Sequence, residues 1–240
     1  MVGRSSTTGL LALHAAATAW YGTTVSLHVD NAATLPGSLS YGGHWKYLTF
    51  IDLILQLVYF GLCVSVDILA LIQGKGKENK GKVLQTLTQL RDNIFATLAF
   101  PLAVFVMTSI WTIYGNEHKL VYPKKLNVVV QQWHNHAMHT TIVPILLVEM
   151  YATRHVYPSK NAGIATLAAF FIAYVSWILW VKYYSGIWAY PFLNEMSFES
   201  RVIFFSSSFM LLIGFYILGK KLNNLFWVAE KIIKEDEYKG

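Results

Sequence analysis

Residues 47–72 form an almost unbroken apolar run, and comparable runs occupy 94–114, 162–183 and 202–218. A bilayer core about 30 Å thick needs roughly 20 such residues per helix. Only helices or closed barrels satisfy their own backbone there. Two further segments approach the requirement. One is 10–29, which carries His14 and His28; the other is 128–150, whose first half holds a polar stretch from Gln131 to Thr141. Composition agrees, with 55% hydrophobic and 13% charged residues, against roughly 25% charged in an average soluble domain. The expected fold is an all-α membrane protein: one domain over 1–240, built as a bundle of six transmembrane helices. The connections are too short to hold a separate soluble domain.

The chain has 19 Lys and Arg. With six spans, thirteen of them fall on the side of the two termini and six on the other. The positive-inside rule then puts both termini in the cytoplasm. The basic stretch 74–82 lies beside anionic lipid head groups on this reading, and no nucleic-acid partner is expected. A competing reading takes Arg4 and the run to Trp20 as a cleavable signal peptide, leaving five spans; the charge count favours keeping the first segment. Cys63 stands alone, so it forms no intramolecular disulfide and leaves the redox compartment open. No standard retrieval signal ends the chain, and the expected location is the endoplasmic reticulum or the plasma membrane.

Polar groups inside spans are costly and normally face the bundle interior. At about 100° per residue, Thr49, Asp52, Gln56 and Asp67 fall within about 60° of one another, one narrow stripe on the second span. On the fourth span Gln132, Asn135, His136 and His139 share a face, and His134 lies about 140° from His139. Three histidines in six residues invite a metal reading, but on a continuous helix only His136 and His139 would be left to share a ligand, and the remaining histidines are scattered along the chain. No metal or other cofactor is therefore expected. A haem carrier would need interior histidines on two helices at matched depth. A scaffold would use the same polar residues only to hold helices together, at about 0.6 kcal/mol per hydrogen bond.

A hydrolase is the chemical alternative. A Thr hydroxyl is a weak nucleophile without a positioned base, and imidazole is the usual one. Thr49 lies three residues past Lys46, about 4–5 Å into its helix, and His139 six past Trp133, about 9 Å. Their depths match if Trp133 marks the interface, and less well if the helix starts at Val128. There is no G-x-S-x-G elbow, phosphate loop or dinucleotide fingerprint.

The run from Tyr41 to Asp52 (YGGHWKYLTFID) and the run from His136 to Thr141 (HAMHTT) resemble the androgen-induced gene product family, which includes androgen-dependent TFPI-regulating proteins. Leu90-Arg91-Asp92, Ala99-Phe100-Pro101, Ile203-Phe204-Phe205 and the run WAYPFL from Trp188 extend the likeness over most of the chain after Tyr41. The resemblance implies a multi-pass membrane hydrolase of fatty acid esters of hydroxy fatty acids, with Thr49 as nucleophile and His139 as general base. Asp52, Asn135 and His136 are candidate supporting polar residues. The partners implied are the lipid substrate and the bilayer. His44 departs from the family pattern, where a small polar residue is expected, and Ala137 stands where Gly is frequent; neither is the implied nucleophile or base.

Overall fold

The computed structural model describes residues 6–31, 38–74, 81–116 and 132–237. Every regular element among them is helical: α1 (Thr7–Asp30), a 3₁₀ turn (Gly43–Lys46), α2 (Leu48–Gln73), α3 (Lys82–Ile94), a π turn (Phe95–Ala99) and α4 (Phe100–Asn116). After these come α5 (Gln132–His139), α6 (Ile142–Ala152), α7 (Lys160–Ser185), the short α8 (Phe192–Glu195) and α9 (Phe198–Glu237). Among the described residues four helices are long and apolar enough to cross a membrane: Leu48–Gln73, Lys82–Thr112, Lys160–Ser185 and Phe198–Val228. In the span Lys82–Thr112, 56% of the apolar window is buried, against 17% in Lys160–Ser185. The α3–α4 rod is therefore central, and α7 turns most of its surface outward.

α1 and α2 run antiparallel, and three rungs fix their register. His14 meets Asp67 at 2.6 Å, Tyr21 stacks on Phe60 with ring centroids 5.6 Å apart, and His28 stacks on Phe50 at 5.3 Å. Ser6 caps α1 by accepting from the Gly9 amide at 3.2 Å. Tyr21, Leu53, Phe60, Phe95, Phe100 and Ile142 form the main apolar core. Lipid tails are as apolar as leucine, so such helices are held by close packing rather than by escape from water. Gly163 and Gly219 serve that packing: a Cβ on Gly163 would sit 2.3 Å from Tyr216 Oη, and one on Gly219 2.6 Å from Phe100 Cδ1.

Several expected boundaries change. The third span was expected over 94–114, but the rod starts twelve residues earlier, at Lys82, and widens into the π turn at Phe95–Ala99. Pro101 explains the widening, because its ring crowds the Thr97 carbonyl and its nitrogen donates no bond. The turn leaves the Ala99 carbonyl to accept from Gln56 Nε2 at 3.0 Å.

The fourth span was expected as one helix over 128–150. Residues 128–131 lie outside the described residues, and the rest is broken at Thr140–Thr141 into α5 and α6. Pro144 is the cause: its ring would clash with the Thr140 carbonyl in a continuous helix, but it is tolerated in the first turn of a new one. The amides of Thr140 and Thr141 both fold back onto the His136 carbonyl, at 2.8 and 3.0 Å. The last helix runs 40 residues rather than stopping at 218.

Candidate functional site

Two polar clusters lie inside the bundle. With the N-terminus of α2 at the top, the upper one gathers histidines from separate elements. His28 Nε2 is 3.1 Å from His44 Nδ1, and the His28 ring stacks on His134 at 5.9 Å with an interplanar angle of 16°. Phe50 lies against both His28 and His44, at 5.3 Å in each case. Gly42 and Gly43, at φ +82° and +51°, turn the chain so that His44 reaches this cluster. Burial and the Lys46 ammonium hold the His44 imidazole below its usual pKa. His28 and His134 stack face to face, an arrangement that leaves no slot between them for a porphyrin plane.

His139 ends α5 at the helix break, is 6% exposed, and its Nδ1 is buried without a hydrogen-bond partner. Helix α5 packs against both α1 and α2. Thr49 is half-buried in the first turn of α2, beside Phe50 in the chain. No hydrogen bond joins Thr49 to His139. The start of α2 carries no side-chain cap. The Leu48 amide donates to Tyr190 Oη at 3.0 Å, and the Phe50 and Ile51 amides donate to the Tyr47 carbonyl. The Thr49 amide has no such loop or cap partner, so an acceptor approaching this helix end meets a donor and the positive end of the helix dipole.

Asp52 and Gln56, as expected of the stripe on α2, are fully buried. Gln56 Nε2 donates to Asp52 Oδ1 at 2.9 Å; Asp52 Oδ2, Gln56 Oε1 and the nearby Tyr21 Oη are buried without partners. Buried polar atoms are normally satisfied, so these unpartnered atoms mark a polar interior along the Asp52–Gln56 face of α2. Asn135 is half-buried. His136 does not join His139: it is exposed, stacks on Trp111 at 5.6 Å and lies 3.0 Å from Thr140 Oγ1. His134, which continuous-helix geometry turned away, is the buried one at 6% exposure.

The lower cluster was missed in the sequence. His14 Nδ1 lies 2.6 Å from Asp67 Oδ2 and its Nε2 2.6 Å from Glu149 Oε2. Tyr59 donates to Glu149 Oε1 at 3.0 Å. His155 Nδ1 is 3.1 Å from Asp92 Oδ1, which also accepts from Arg91 Nη2 at 2.7 Å. Glu149 stands alone in an apolar run and was the available signal. Asp67, from the stripe on α2, is the partner of His14. A separate apolar cavity of about 280 Å³, lined by Trp45, Ile51, Phe170, Ala173, Tyr174 and Trp177, opens between α2 and α7 beside the turn that leads into Thr49.

Residues 10–224 match the model of the FAR-17a/AIG1-like protein family. The chain is 41% identical over 209 residues to the human androgen-induced gene 1 protein, covering 87% of this chain and 88% of that one. It is 41% identical over 192 residues to the human androgen-dependent TFPI-regulating protein, covering 80% and 81%. The mouse androgen-dependent TFPI-regulating protein is 40% identical over 188 residues, covering 78% and 79%. No solved structure matches.

Proposed function

Since the chain belongs to the FAR-17a/AIG1-like family, we propose that it is an intramembrane ester hydrolase cleaving fatty acid esters of hydroxy fatty acids, with Thr49 as nucleophile and His139 as general base. The observation that carries this reading is the chemistry around α2's first turn. The first turn of α2 holds the half-buried Thr49 at an uncapped helix end, and α5, which packs on α2, ends in the buried His139 imidazole whose Nδ1 has no partner.

The Thr49 hydroxyl attacks the ester carbonyl as its proton passes to His139. The tetrahedral oxyanion is met by the Thr49 amide and the N-terminal field of α2. The hydroxy fatty acid leaves with the proton from His139. Water, deprotonated by His139, then releases the second acid from Thr49. Because the two side chains are not hydrogen-bonded, substrate binding must draw them together, as catalytic contacts often tighten only in the complex. The buried, unpartnered Oδ2 of Asp52 supports an orienting role for that carboxylate, with half-buried Asn135 in reserve; exposed His136 takes no part. The cavity between α2 and α7 offers an acyl chain a path in from the lipid.

In this reading α1 and the broken α5–α6 pair complete six spans with both termini cytoplasmic, in the endoplasmic reticulum or the plasma membrane. Purified, folded Thr49→Ala and His139→Ala proteins test it. Each should lose on the order of a thousandfold or more in ester turnover, and wild-type turnover in either one overturns the assignment.

A further inference from the structure

The lower cluster has the donor set and the supporting shell of a metal centre. His14 on α1, Cys63 on α2 and Glu149 on α6 are all fully buried, and one ligand atom from each lies within 4.8 Å of the others. Bonds of about 2.0–2.3 Å in a tetrahedral site set ligand atoms roughly 3.5 Å apart, so small side-chain rotations bring these three onto one ion. The other nitrogen of His14 faces Asp67 Oδ2 at 2.6 Å. That carboxylate–histidine pairing is how proteins fix the ring of a metal-binding imidazole.

A second histidine repeats the arrangement. His155 Nδ1 is held 3.1 Å from Asp92 Oδ1, while its Nε2, fully buried, lies 3.2 Å from Glu149 Oε1 without a hydrogen bond. Asp67 Oδ1 is likewise buried and unpartnered. Three carboxylates, Asp67, Asp92 and Glu149, are buried in this cluster, and its one guanidinium, Arg91, pairs with Asp92. Such charges are retained in a membrane interior only when something neutralises them.

The geometry points to a zinc site with three protein ligands, His14, Cys63 and Glu149, with Asp67 orienting His14 and His155 backing Glu149. The mixed nitrogen, sulfur and oxygen donors suit Zn²⁺ better than the hard cations Ca²⁺ or Mg²⁺, which take oxygen ligands. Cys63 binds as the thiolate and its proton leaves to solvent. The ion ties α1, α2 and α6 together below the upper cluster and takes no part in ester chemistry, so the site stands or falls separately from the hydrolase reading.

The test is the metal content of the full-length protein, purified in detergent with no metal or chelator added. One zinc per chain is expected in the wild type and in Thr49→Ala, falling below one tenth in Cys63→Ser and Glu149→Gln. Cobalt-loaded wild type should show thiolate-to-cobalt charge transfer, which Cys63→Ser removes. If those variants fail to fold, the wild-type stoichiometry and cobalt spectrum decide alone. Monodisperse wild type with under a tenth of an equivalent and no charge-transfer band would mean that protons neutralise the cluster, and overturns the site. Full zinc in both ligand variants means an adventitious ion only, and overturns it equally.

Discussion

Glu149→Gln is nearly isosteric and removes one charge from the most constrained point in the bundle. The carboxylate is 0% exposed and holds His14 at 2.6 Å, Tyr59 at 3.0 Å and His155 at 3.2 Å. An amide can still accept from Tyr59, but it removes the negative charge that balances the cation neutralising this cluster. Removing one partner of a buried ionic pair destabilises by about 3–5 kcal/mol, because the other is left uncompensated. For a chain of this size each kcal/mol lowers the midpoint by roughly 2–4 °C, so the expected loss is about 6–20 °C. Cys63 supplies the assay: it is the only cysteine and is fully buried, so a thiol-reactive fluorophore labels the protein only as it unfolds. The control is Glu199→Gln on the exposed first turn of α9, which should shift the midpoint by less than about 2 °C. A Glu149→Gln midpoint as close to wild type as the control would refute the claim that this network holds α1, α2 and α6 together.

Gly219→Ala places a Cβ 2.6 Å from Phe100 Cδ1; such overpacking costs about 1–3 kcal/mol, read as a lower midpoint in the same labelling scan. Pro144→Ala should let α5 run on into α6 and swing His139 away, cutting ester turnover by roughly tenfold to a hundredfold without lowering the midpoint. His136→Ala should leave turnover within about threefold, since the ring is exposed. The His44 pKa is lowered, so the imidazole is neutral at pH 7 and gains its charge only at more acidic pH. A pH–rate profile of His44→Ser should therefore keep the wild-type acid limb.

The sequence carried four of its six expected spans because they depend on long apolar runs, and α2 and α7 begin and end within two residues of expectation. It carried the Asp52–Gln56 stripe for the same periodic reason. The break at Thr140 was also encoded, in Pro144, but a helical wheel drawn through that proline assumes a rod that does not exist. The exchanged environments of His134 and His136 have another source, because both lie in α5 ahead of the break: His134 is covered by His28 of α1, a contact between helices. The histidine clusters were beyond any wheel. His14 with Glu149 and His28 with His134 meet only because α1 lies antiparallel to α2 and against α5, which is tertiary information. Glu149 could have been flagged, as a lone carboxylate among leucines and valines.

The most direct test of the chemistry is where a fluorophosphonate attaches. The probe phosphonylates an activated hydroxyl and releases fluoride, and mass spectrometry of the digested adduct reports the residue. Labelling of wild type at Thr49, absent from His139→Ala, is the expected result. An adduct on another side chain, or none on protein that cleaves ester, would contradict it.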